Sequence, residues 1–376
     1  MQIFRSIFYL FPALFSFSIG YTCTAFQLKS LQEDQIYCRS LEFADLLNSE
    51  ILLVGRGISF IGSTGSNEEG LAWKSKFGFI GINSIFERKY VCDGMNEKGL
   101  IASALFLPGF AQYQELDAQK FPKTIGYWQL PSYILSTCAS IQEVKNLIPN
   151  LIVGNLPMPN YEEKIMPLHF YFSDSLGNTL VVEYVDGKCY QWQNTLGVLT
   201  NSPPFAWHIF NLSNYINLSS FNVPKLKLQN MEIHNPSQGS GLLGLPGDYT
   251  SASRFVKAAL FSQWAAKQPT ALETVKMGFH ILNTFDIFDG IIKDRAEKTE
   301  NKDPNFSELK TDITQWIVVH DKTNLKSYIR TYENLEIQFV DIKKIDFAKI
   351  GMKTISLNKV FAPSDITSNA KLLENP

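Results

Sequence analysis

The sequence contains no CxxC pair, no Cys/His grouping at metal-ligand spacing, and no GxSxG, HExxH or Walker pattern. These absences remove zinc sites, the serine-hydrolase elbow and the nucleotide phosphate loop as starting points. No block of basic residues occurs and the formal net charge is −2, which speaks against nucleic acid as a partner. Histidines are few and scattered: His169, His208, His234, His280 and His320. His280, beside Phe279 and Ile281 in a helical pattern, reads as a core or interface histidine, so a serine or cysteine triad has no obvious base. No repeat, low-complexity tract or flexible linker divides the 376 residues, and no segment beyond the first 20 is apolar enough to span a bilayer.

Those first residues are distinctive. Arg5 is the one charge before the uncharged run IFYLFPALFSFSIG, a pattern that fits a secretory signal. Pro12 and Gly20 make it a poor spanning helix. The expectation is a signal peptide at 1–22, a single domain at 23–376, a periplasmic or secreted location, and no stable membrane insertion once the leader is cut.

A cysteine, Cys23, lies on that seam. It could be an ordinary residue, a lipid-attachment point, or a nucleophile that uses its own α-amine. The approach GYT is too bulky and polar for lipidation, and a lipid would acylate the amine. An α-amine with a pKa near ~8 suits removal of a thiol proton around neutrality. Cys38, Cys92, Cys138 and Cys189 read as small buried hydrophobes, five cysteines being no disulfide framework.

Alternating apolar residues predict strands in TAFQLKSL, QIYCRSL, ILLVGRGISF and WKSKFGFIGI, and again in ITQWIVVHD, LKSYIRTY and LEIQFVDI. VCDGMNEKGLIASALFLPG predicts strand, turn and strand, with the turn at Gly94 to Gly99. LHFYFSDSLGNTLVVEYVDGK predicts a hairpin turning at SLGN. Helices are expected over CASIQEVKNLIPN, with a Ser140–Glu143 capping box, over SASRFVKAALFSQWAAK, and over TALETVKMGFHILNTF, with a Thr270–Glu273 box. A charged loop is expected at 293–310. GSGLLG, residues 239–244, matches a dinucleotide pattern but lacks a preceding buried strand and is followed by Pro246, so a loop with close backbone approach is the better account. Strands at both ends with helices between predict an α+β layered domain.

Five motifs carry a resemblance: CTAF at 23–26, CRSLEF at 38–43, DGMNEKGL at 93–100, GVLTNSPPF at 197–205 and GLPGDYTSASRF at 244–255. In this order they resemble the choloylglycine hydrolase family, the bile salt hydrolases and penicillin V acylases among the N-terminal nucleophile hydrolases. The resemblance covers nearly all of the chain after Cys23. It implies a four-layer αββα sandwich, hydrolysis of a linear small-molecule amide through a thioester, no metal, no organic cofactor, and a homotetramer as a common form.

Carried onto this sequence, the resemblance makes Cys23 the nucleophile and its amine the base. Arg39 becomes the arginine beside the thiol, where a guanidinium favours thiolate. Asn201 becomes the neutral donor aimed at the developing oxyanion, and Arg254 completes the charge network. Glu42 departs from the aspartate usual at its position, which accepts from the nucleophile's amine. Phe106 departs from asparagine or tyrosine and offers no side-chain polar group. In LFLPGFAQY, Phe106, Leu107, Phe110 and Tyr113 either line a substrate pocket or pack in the core.

Conjugated bile salts are the first substrate expectation, from GVLTNSPPF and HILNTFDI; penicillin V and N-acyl homoserine lactones are rivals. The rival of another class is an exported lipoprotein or a binding relic without catalysis.

Overall fold

The computed structural model of the chain describes residues 22–84, 86–161, 164–235, 237–293, 311–357 and 361–369. The expected leader, apart from Thr22, and nearly all of the charged loop at 293–310 lie outside them. Two antiparallel sheets form the middle of the molecule. The first has the strand order β1 (Thr22–Lys29), β2 (Gln35–Phe43), β16 (Ile313–Asp321), β17 (Lys326–Thr331) and β18 (Gln338–Asp341). The second runs β13 (Lys188–Gln193), β12 (Thr179–Val185), β11 (Leu168–Ser173), β8 (Ile101–Phe106), β7 (Asp93–Asn96), β6 (Phe79–Ile82), β3 (Glu50–Val54) and β19 (Met352–Ser356). Three small ribbons accompany them: β4 (Ser59–Ile61) with β5 (Ala72–Lys74), β9 (Thr124–Gly126) with β10 (Ile152–Gly154), and β14 (Leu226–Leu228) with β15 (Met231–Ile233).

Helices α4 (Ser251–Trp264) and α5 (Ala271–Leu282) cover the first sheet, and α1 (Leu130–Thr137) packs on β7 and β8 of the second. Two shorter helices are α2 (Ile141–Leu147) and α3 (Phe205–Asn211). The result is the expected αββα sandwich.

Every residue of β2 is buried, because β1 and β16 flank its edges and both of its faces are covered. Cys38 faces α5 at Gly278, where a Cβ would stand 2.7 Å from its sulfur, so only glycine lets this helix lie so close. Its neighbour Tyr37 points the other way, its ring centroid 5.2 Å from that of Tyr171 on the facing sheet. Strand alternation then sends Arg39 into the space between the sheets, where it is fully buried.

The N-cap half of each expected capping box places its helix, while Glu143 accepts from the Ala139 N–H and Glu273 from the Thr270 hydroxyl rather than from the cap N–H. Ser140 accepts from the Glu143 N–H and Thr270 from the Glu273 N–H. The helices stop earlier than expected, with α2 and α5 tightening into 3₁₀ turns at Ile148–Asn150 and Asn283–Phe285. α1 and α3 were not expected; at eight and seven residues each is too short to show a sustained helical period in the sequence. Asn96 extends β7 into the expected turn at 94–99, and its side-chain amide donates to Leu135 O and Cys138 O at the end of α1. β11 is buried on both faces rather than alternating. In the 239–244 loop, a Cβ on Gly241 would collide with Phe221 O, the close backbone approach that the sequence suggested. His280 is exposed on α5 rather than in the core.

Candidate active site

The site starts from an edge. β1 has β2 on one side, and at Ala25 its other side pairs with Leu199, the two residues exchanging N–H···O bonds of 2.8 and 3.0 Å. Two residues beyond that bridge stands Asn201. Its Oδ1 accepts the Cys23 N–H at 2.7 Å and Arg254 Nη2 at 2.7 Å, while its Nδ2 donates to Phe106 O at 2.8 Å. Two donors converging on one atom fix which end of the amide is oxygen. Asn201 is held from behind: its N–H donates to Ser251 Oγ and its carbonyl accepts from His208 Nε2, at 2.9 and 2.8 Å. His208 stacks on Phe255 and burial pushes its pKa down to about 4.

Arg254, from the first turn of α4, is buried and spends its guanidinium on neutral oxygens. Nη1 donates to Cys23 O and Thr24 Oγ1, and Nε to Tyr249 O. Arg39 brings Nη2 to 3.7 Å from Cys23 Sγ and also donates from it to Ala104 O. Its Nη1 donates to Cys92 O at 2.9 Å and to Asp93 Oδ2 at 3.1 Å.

Glu42 lies opposite Thr22 in the β1–β2 register. Its Oε1 accepts from Thr314 Oγ1 at 3.4 Å, and its Oε2 is buried with no hydrogen-bond partner among the described residues. Burial pushes its pKa up to about 7, Arg254 opposing. With Thr22 in place, the Cys23 nitrogen is a peptide N–H and bonds to Asn201 rather than to Glu42.

Burial also pushes the Cys23 thiol above its ordinary value; Arg39 and Arg254 pull it down by less, and Glu42 adds to the rise. A buried, protonated thiol needs a base to react near neutrality, and an amide nitrogen has no basic lone pair.

A narrow cavity opens onto Cys23. Its wall is mostly apolar, including Phe43, Phe86, Trp128, Met158 and Leu168. Phe106 lines it. Leu107 and Phe110 do not: Leu107 is fully buried elsewhere and Phe110 is exposed. Tyr113 packs in the core, stacked 4.3 Å from Tyr127. Strand alternation turns Leu107 away from the face that Phe106 presents, and Phe110 lies in the turn beyond the end of β8. Among the described residues no His/Cys/Asp/Glu cluster could hold a metal.

Sequence reasoning overlooked Asp93, His320 and His208. Asp93 lay inside a quoted motif, DGMNEKGL, but was given no role there.

The profile of the family described as linear amide C–N hydrolases, choloylglycine hydrolase family, matches residues 23–355. A bile salt hydrolase/transferase of Clostridium perfringens is 30% identical over 345 residues, 90% of this chain and 98% of that protein. The crystal structure of a mutant conjugated bile acid hydrolase from Clostridium perfringens superposes with a TM-score of 0.79 at 28% identity, covering 92% of this chain and all of that one. Penicillin V acylase from Agrobacterium tumefaciens shares the fold, with a TM-score of 0.69 at 20% identity over 89% of this chain and 92% of that one. The chain belongs to the choloylglycine hydrolase family and is a linear amide C–N hydrolase.

Proposed function

We propose that the mature protein begins at Cys23 after export and hydrolyses conjugated bile salts. The observation that carries this reading is the apolar cavity opening directly onto the Cys23 thiol. A wall of aromatic, leucine and methionine side chains suits a bulky apolar acyl group, and the relatives named for bile salts point the same way.

In this mechanism the freed amine takes the thiol proton as sulfur attacks the amide carbonyl, then returns it to the leaving amine. Arg39 favours the thiolate beside it. Asn201 has a second Nδ2 hydrogen, besides the one held by Phe106 O, to offer the oxyanion. Arg254 fixes the Cys23 carbonyl and Asn201 together. Removal of Thr22 opens the position opposite Glu42, whose Oε2 is free to accept from the new amine. Water then releases the acid.

A homotetramer is part of the same reading. The β14–β15 ribbon supports it, since Leu226, Leu228, Met231 and Ile233 share one face and are each 44–64% exposed.

The test is amine release from glycine- and taurine-conjugated bile acids, penicillin V and N-acyl homoserine lactones. A kcat/KM for bile conjugates at least about tenfold above the others is expected. Preference for penicillin V or a lactone would overturn the substrate and leave the amidase reading standing.

A further inference from the structure

Arg39 reaches the thiol from a crowded, dry position. Its Nε has no hydrogen-bond partner, its guanidinium lies over the Trp316 ring with Cζ 5.2 Å from the centroid, and two of its acceptors are neutral carbonyls, Cys92 O and Ala104 O. Among the described residues the one anion it touches is Asp93, which is itself fully buried at the start of β7 in the opposite sheet. Asp93 is held on every side: Oδ2 accepts from Ser103 Oγ and Tyr37 Oη as well as from Arg39, and Oδ1 accepts from His320 Nε2 at 2.8 Å. His320 comes from β16, opposite Tyr37 in the register, and stacks on that tyrosine. One carboxylate therefore ties the two sheets together immediately behind the arginine that faces the nucleophile.

We propose that Asp93 and His320 are positioning residues of the reaction: His320 orients the Asp93 carboxylate, and Asp93 holds Arg39 with Nη2 against the Cys23 sulfur. Neither touches the reacting atoms. A guanidinium that loses this anionic contact is left on its carbonyl acceptors, Cys92 O and Ala104 O, and can move off the thiol, and small displacements of a positioned group cost a reaction about a hundredfold. The inference rests on Cys23 as the nucleophile, so its test includes a thiol readout that does not need turnover.

The pH dependence of Cys23 alkylation by iodoacetamide, followed by the mass of the Cys23-containing peptide, reads where Arg39 is. Arg39, Glu42 and Arg254 are the charged groups acting on that thiol. If Asp93 were only a buried negative charge, Asp93→Asn would lower the alkylation midpoint, because a neighbouring anion disfavours thiolate. If it positions Arg39, the midpoint rises by about one pH unit and kcat falls about tenfold to a hundredfold with KM little changed. His320→Gln keeps an N–H donor and should behave like the parent, while His320→Leu should shift in the direction of Asp93→Asn. A midpoint that falls or stays in folded Asp93→Asn overturns the proposal. If that variant does not fold, identical behaviour of His320→Gln and His320→Leu overturns it. Normal thiol shifts without any amide turnover would count against the nucleophile reading instead.

Discussion

The Cys23 nitrogen and the Arg254 guanidinium meet at a single atom, Oδ1 of Asn201, each at 2.7 Å. One side chain thus sets the direction of the nucleophile's nitrogen, anchors a buried arginine and, through Nδ2, reaches the Phe106 carbonyl. Asn201→Ala leaves two buried donors unpaired at once. A loss of about 10²–10³ in kcat is expected, with an unchanged circular dichroism spectrum. A loss under threefold would remove Asn201 from the mechanism. Asn201→Asp keeps the acceptor for both donors but lacks the Nδ2 hydrogens and turns a second oxygen on the Phe106 carbonyl, so it should not recover rate.

Cys23→Ala should abolish amide hydrolysis and leave the fold intact, because the side chain contributes little volume to its surroundings. Intact mass of the active protein should begin at an unmodified Cys23. Turnover by the alanine variant, or active material with a blocked amine, would refute the role.

His208 is held neutral by burial, at about 4 against an ordinary value of 6.5. The folded state therefore binds fewer protons than the unfolded chain between these values. Its contribution to stability is complete above pH 6.5 and is lost as the pH falls through 4, up to about 3 kcal/mol for a shift of this size. In His208→Gln that dependence disappears. The parent's advantage in urea midpoint should shrink steadily from pH 7 to pH 4; a constant difference would contradict the burial argument.

Glu42 carries the opposite sign. With Thr22 attached its pKa stands at about 7 against 4.5, so its protonated form is the one the fold prefers. That preference is complete below pH 4.5 and is lost as the pH rises through 7. Glu42→Gln cannot ionise, and in the uncleaved chain it should gain on the parent between pH 5 and pH 8, by up to about 3 kcal/mol. Urea titrations at the two pH values check this.

Replacing Leu228 with Asp and Met231 with Lys on the exposed ribbon should dissociate a homo-oligomer without reducing the stability of the protomer. Light scattering that finds a monomer in both parent and variant would dismiss the tetramer.

The layered fold was legible because its signals are local: Ser140 and Thr270 cap helices in the sequence as in space, and the buried strands keep their apolar runs. α1 escaped because its eight residues, with Leu130 and Ile134 a single turn apart, are too few to set up a sustained period. At the site, Cys23, Arg39, Asn201 and Arg254 were readable through motifs, yet the reason they meet was not. Arg39 and Asp93 are brought together by sheet packing, and His320 lies 227 residues from the carboxylate it touches. Leu107 and Phe110 misled because a contiguous aromatic stretch says nothing about which side of a departing strand faces the cavity.

The Ala25–Leu199 bridge makes the alignment of nucleophile and asparagine a property of the main chain. Side chains around Leu199 can vary while the peptide ladder still delivers the next two residues to the same place. Shortening the interval between Leu199 and Asn201 by one residue would instead present a neighbour's side chain to Cys23, so this locus tolerates exchange of amino acids but not a change in their number.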